Sequence, residues 1–289
     1  MKAVKNFPVV FIFALALFLL ASNTNATPKD EWAKLDGVRI HYYDIGDQKD
    51  KEAIVFVHGW TCNADFWKES MNAFPQYRVI AIDLVGHGQS EKPEKADYSM
   101  EYFAQSVEAV LKKAKIKKAV LVGHSMGTPV VRQFYRLYPD QTLGLVIVDG
   151  ALRPFGKKAD IEKYFEPLFK DYRGEAPKFV DGLLEPTRTD LKSDIRAAML
   201  STPDYVGISA MRGMLDDKIW TNDQINVPVL AIMSGSGQWP ADTKAFYQTI
   251  APNLDFQMWA GVSHFLMMEK PYEFNSAIQY FLIKNKLLQ

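Results

Sequence analysis

Ser125 lies within AVLVGHSMGTPV, residues 119–130, with Gly123 two positions before it and Gly127 two positions after. A serine hydroxyl is a weak nucleophile until a base takes its proton. Attack on a carbonyl further needs donors for the developing oxyanion and a carboxylate to steady the base. Gly123-His124-Ser125-Met126-Gly127 fits G-x-S-x-G, the pattern of a serine held on a tight turn between a strand and a helix. Glycines at the flanking positions leave room for neighbouring backbone, and the start of the helix favours negative charge beside the hydroxyl. Alone the pattern is weak, because small residues abound in turns; it gains meaning from a strand before it and a helix after it. Five histidines are available as the base: His41, His58, His87, His124 and His264.

The elements that would position these groups are legible from Ala53 onward. Apolar runs at 53–57, 77–82, 118–122, 143–148, 227–233 and 254–259 are rich in Val and Ile and show little alternation, as strands buried on both faces do. Amphipathic stretches separate them. In one, Ser99 is placed to cap a helix on which Phe103, Val107, Val110 and Ala114 recur at helical spacing. Another helix is expected at roughly 126–138. This alternation predicts an α/β fold with a doubly wound, mostly parallel sheet. KLDGVRIHYYD, with its Asp36-Gly37 pair, predicts an antiparallel hairpin ahead of it. Residues 151–225 hold no convincing strand, but helical patches such as IEKYFEPLFKDY and SDIRAAML, separated by Pro and Gly. They read as a helical cap over the C-terminal edge of the sheet, inserted into a core of 27–150 and 226–289.

The first 26 residues stand apart. Lys2 and Lys5 precede an apolar run from about Val9 to Ala21 and a short polar stretch, the layout of a secretory signal peptide with cleavage expected after Ala26. The run is short of the ~20 residues a spanning helix needs, so no stable membrane insertion is expected after cleavage and the mature chain is expected in a periplasm or outside the cell. Removing Lys2 and Lys5 from 34 basic residues leaves 32 against 34 acidic, a net charge of −2 that favours neither nucleic acid nor an anionic surface. The basic run Lys112–Lys118 ends a helix and reads as a solvated face. Cys62 is the only cysteine, so no internal disulfide can form.

With FVHGW (56–60), DLVGHGQS (83–90) and GVSHF (261–265) beside the serine turn, the chain resembles the α/β-hydrolase fold family, in its serine-nucleophile, esterase- and lipase-like branch with a helical cap. The resemblance covers essentially the whole mature chain and is least specific in the cap. It implies oxyanion donors at the backbone amides of Trp60 and Met126, and it gives the base to His264, in the loop between the last strand and the final helix. His41, His58 and His87 then read as structural, and His124 as pointing away from its neighbour. The family usually carries its acid after the seventh strand, where MSGSGQWPADTKAF offers Gln238 instead. Two substitutes remain open. Asp149 ends the sixth strand, 24 residues after Ser125, where some branches hold the acid; Asp242 sits in the first turn of the next expected helix.

No metal-ligand spacing, phosphate-cradling loop or dinucleotide fingerprint occurs, so neither metal nor cofactor is expected. Trp239, Phe265 and Met267 are expected along an apolar pocket. The expected activity is hydrolysis of small or medium carboxylic esters through an acyl-enzyme on Ser125. Lactone opening, carbon–carbon bond hydrolysis and peracid formation could use the same groups, and a non-catalytic ligand-binding or sensing role is a different class of answer. A serine at the elbow disfavours the dehalogenase and epoxide hydrolase branches, which use aspartate there.

Overall fold

The computed structural model describes residues 27–236 and 238–288. The proposed signal segment therefore lies outside the described residues. Eight strands form one sheet: β1 (Lys29–Leu35), β2 (Val38–Ile45), β3 (Glu52–Val57), β4 (Arg78–Ile82), β5 (Lys118–His124), β6 (Thr142–Val148), β7 (Val229–Ser234) and β8 (Leu254–Trp259). Their order is β1-β2-β4-β3-β5-β6-β7-β8. β1 and β2 pair antiparallel, as do β2 and β4, and every later pairing is parallel. The hairpin turns where expected: Asp36 and Gly37 both take positive φ, 49° and 89°, as a two-residue turn matched to strand twist requires. From Ala53 to Val57 and from Leu145 to Val148 the strands are fully buried, which is why their residues are apolar without alternation.

Helices cross between the parallel strands. α1 (Lys68–Met71) follows β3, α2 (Met100–Ala114) follows β4, and α3 (Gly127–Leu137) follows β5. Ser99 caps α2 by accepting from the Tyr102 amide. Between β6 and β7 the chain runs through α4 (Lys158–Lys170), α5 (Tyr172–Leu184), α6 (Thr189–Leu200) and α7 (Asp204–Met214). Pro167, already within an expected helical patch, sits inside α4, and Pro177, which lies between the two patches and read as a separator, sits inside α5. The last helices are α8 (Thr243–Ile250), α9 (Leu266–Glu269) and α10 (Pro271–Lys284). No helix among the described residues is long and apolar enough to cross a membrane.

Both legs of the helical insert are tied to α3, the helix that starts beside Ser125. The buried guanidinium of Arg132 donates to Leu152 O at 2.7 Å on the outgoing leg, and to Thr221 O on the returning one. Arg136 donates to Ile219 O at 2.9 Å and to both carboxylate oxygens of Asp223, at 2.9 and 2.7 Å. Further from the legs, Trp60 Nε1 donates to Gly207 O (2.8 Å), Thr202 Oγ1 to Thr61 O (3.1 Å) and Tyr205 OH to Lys92 O (2.8 Å).

Candidate active site

Ser125 is the first of two residues, Ser125 and Met126, between β5 and α3, and it has φ of 52°, a left-handed conformation that a residue with a Cβ adopts only under constraint. The constraint is visible at the flanking glycines. A Cβ on Gly123 would sit 2.4 Å from Gly127 O, and one on Gly127 would sit 2.4 Å from Val57 O. β5, α3 and the end of β3 are thus packed backbone against backbone around the serine. Thr61 (φ 56°) and Asp149 (φ 42°) share the left-handed conformation at the same edge of the sheet. The other non-glycine residues with positive φ lie in the hairpin turn, at the end of α2 and near the end of the chain. Backbone strain thus gathers on three loops at one edge of the sheet, which makes that edge the candidate site.

Asp149 follows β6 and is buried. His264 Nδ1 donates to its Oδ2 at 2.7 Å. Trp239 Nε1 and the Ser234 amide donate to Oδ1, each at 2.7 Å, and Gln238 Nε2 donates to Oδ2 at 2.7 Å. Burial pushes this carboxyl upward, but the hydrogen bond and charge of His264, with the Ser234 amide and the Trp239 indole, outweigh it, so the pKa falls below the ordinary carboxylate value. With Nδ1–H committed to Asp149, His264 presents Nε2 as its free lone pair. Gln238, at the position where the resemblance leads one to expect the acid, serves the acid as a donor. Asp242 is elsewhere: it stands exposed at the start of α8, paired with Arg153 at 2.5 and 2.9 Å. The guanidinium competes for it there, and it makes no contact with His264.

The remaining histidines hold loops. His124 Nε2 donates to the carbonyl of His264 at 2.9 Å, fixing the backbone of that residue. Burial, with the charge of His264 added, pushes the His124 pKa down to about 3, so the ring is neutral. His58 accepts from the Leu84 amide at Nε2 (3.0 Å), which leaves Nδ1–H to donate to Gly59 O (2.8 Å) and brace the turn before Trp60. His41 lies in β2 between two carboxylates, Asp83 at 2.8 Å and Asp30 at 3.1 Å. The amides of Trp60 and Met126 have no acceptor among the described residues.

The loop carrying His264 is also clasped to the insert. Glu269 accepts from the Ser263 amide at 2.7 Å with one oxygen and from the Arg188 amide at 2.9 Å with the other, while Thr187 Oγ1 donates to Ser263 Oγ at 2.9 Å. Sequence reasoning missed this clasp, because nothing local links residues 187 and 263. Ser125, His264 and Asp149 line one cavity of about 400 Å³ beneath α4–α7. Trp60, Trp239 and Phe265 line it too. Met267, expected there, does not: α9 turns its side chain into the core, where it is 2% exposed. Among the described residues no hydrogen bond joins Ser125 Oγ directly to His264, a looseness common before substrate orders such a site. Cys62 is buried at the cavity wall, and burial pushes its thiol well up, which makes it a poor nucleophile.

Residues 52–207 match the family described as alpha/beta hydrolase fold. The chain belongs to that family. Among curated relatives, a non-heme chloroperoxidase of Streptomyces lividans is 36% identical over 186 residues, 63% of each chain. A bifunctional esterase/perhydrolase of Acinetobacter calcoaceticus is 34% identical over 127 residues, 43% of this chain and 45% of that protein. Among solved structures, a thermophilic esterase is 27% identical with a TM-score of 0.71, over 90% of this chain and 99% of that one. The family thus accounts for the sheet and the serine turn, while its members differ in chemistry.

Proposed function

We propose that this protein is a serine hydrolase that cleaves small or medium carboxylic esters through an acyl-enzyme on Ser125. The observation that carries the reading is the 2.7 Å hydrogen bond from His264 Nδ1 to buried Asp149, made at the wall of the cavity that Ser125 also lines. His264 Nε2 takes the proton of Ser125 as the oxygen attacks the ester carbonyl. The Trp60 and Met126 amides receive the oxyanion, and Asp149 steadies the imidazolium. His264 returns the proton to the departing alcohol, and a water activated in the same way releases the acid. The esterase activity named for two of the similar proteins supports this reading. Against peracid formation stand Met199, Met211 and Met214, which line the cavity as oxidisable thioethers. We place the reaction outside the cytoplasm on the strength of the charged, apolar and small-residue pattern of residues 1–26.

A fluorophosphonate probe tests the core of the proposal. The wild-type protein should be labelled at Ser125, and Ser125→Ala should abolish both label and ester turnover. A protein that stays unlabelled while folded would be a binding module instead.

A further inference from the structure

The reacting groups, Ser125 Oγ, His264 Nε2 and the main-chain donors, gather at one end of the cavity, and most of the polar side-chain atoms around them are already engaged. The side-chain nitrogens of Gln238, Trp239 and His264 that face Asp149 all donate to it, and the Trp60 indole donates to Gly207 O. Away from that end the wall is apolar. α4 contributes Ile161 and Phe165, α5 Leu183, α6 Met199, and α7 Met211 and Met214. Among the described residues the cavity wall carries no Lys or Arg, and its one carboxylate is Asp149. A charged or polyhydroxylated group placed among these side chains would lose its water without gaining partners. Phe155 and Tyr164, 55% and 67% exposed, are lining residues that also reach solvent and so mark the mouth.

From this arrangement we infer that the cavity binds the acyl side of its substrate as an uncharged, unbranched hydrocarbon chain. The inference rests on the hydrolytic reading of Ser125 and adds the substrate class to it. The acyl group is the part that stays covalently held while the alcohol departs, so the covered space suits the acyl group. A volume of about 400 Å³ takes roughly a dozen non-hydrogen atoms at the ~30 Å³ that one water molecule occupies in the liquid. Setting aside the reacting carboxyl group leaves a chain of about eight to ten carbons. The methionines suit such a chain, because an unbranched thioether side chain re-packs around a flexible ligand where a β-branched wall would not.

The test is a series of p-nitrophenyl esters from acetate to palmitate, with benzoate as a bulky alternative, each below its solubility limit. kcat/KM should rise about fourfold per added methylene, the ratio that burying one CH₂ supports, and level off near eight to ten carbons. Met199→Trp and Met214→Trp should each move the optimum at least two carbons shorter, and Leu183→Ala should move it longer. A flat profile, a preference for acetate or benzoate, or a rise continuing to palmitate would overturn the inference while leaving Ser125 chemistry intact. Should no ester be cleaved, the hydrolytic reading fails, and the chain site is still decided by binding to Ser125→Ala. Methyl decanoate should then quench tryptophan fluorescence at concentrations at least 100-fold below methyl butyrate; equal binding of the two would refute it.

Discussion

At the residue scale, Asp149 is the group on which the proposed chemistry turns. Its oxygens are filled by four donors besides the Ser234 hydroxyl, so the carboxylate is rigid as well as charged. Asp149→Asn would present an amide to His264 and favour the wrong tautomer of the ring. We expect kcat on a p-nitrophenyl ester to fall by ~10⁴, the loss typical of a triad acid made neutral, with Asp242→Asn within twofold of wild type. Comparable losses for the two would undo the assignment. His41 makes a different prediction, about stability. Burial opposes its charge, yet the hydrogen bonds and charges of Asp83 and Asp30 outweigh burial, so its pKa is raised in the folded protein. A raised histidine contributes stability that is complete below its unfolded value of ~6.5 and is lost as pH rises through the folded value. The gap in Tm between wild type and His41→Asn should therefore be wide at pH 6 and narrow toward pH 9, by differential scanning fluorimetry. A gap that widens with pH would mean that His41 is neutral.

At the scale of elements, the base loop and the helical insert share one carboxylate. Glu269 holds the amide before His264 with one oxygen and the amide of Arg188, just ahead of α6, with the other. Glu269→Gln must turn an N–H toward one of those amides and leave a buried donor unpaired, at a cost of ~1–3 kcal/mol. We expect kcat to fall about tenfold or more, with KM for a short ester little changed, since what moves is the base. A loss confined to KM would place the effect in the insert instead. Such links mark the limit of what sequence patterns convey. Val- and Ile-rich runs announce β3 to β7 because burial on both faces removes alternation, whereas the edge strand β8, LDFQMW, is only partly buried and has neither residue; the serine turn announces itself through glycines that backbone crowding demands. The acid was harder. Gln238 marks a position where a carboxylate is absent, but that its amide supports Asp149 across 89 residues is a fact of space alone. Met267 misled because a four-residue helix, α9, reverses which side chains face inward, and no periodicity registers in so short a piece.

At the scale of the whole molecule, the sheet edge and the insert form one closed body. The insert meets the core at both legs through Arg132 and Arg136, at Trp60 and Thr61 beside the serine, and at Ser263 beside the base. Arg132 is buried deeply enough for desolvation, with the charge of Arg136 added, to push its pKa down to about 10, so its several acceptors are what keep it charged and in place. The roof is fastened at both legs, through α7 and the segment before it and beside the base loop, and the side left without such ties is α4, next to Phe155 and Tyr164. In the proposed reaction, esters enter past Phe155 and Tyr164 one molecule at a time, and an oil droplet offers nothing that a dissolved monomer does not. Plotted against tributyrin concentration, the rate should saturate smoothly through the point where the solution turns to emulsion, without the upward jump of a lipase activated by an interface.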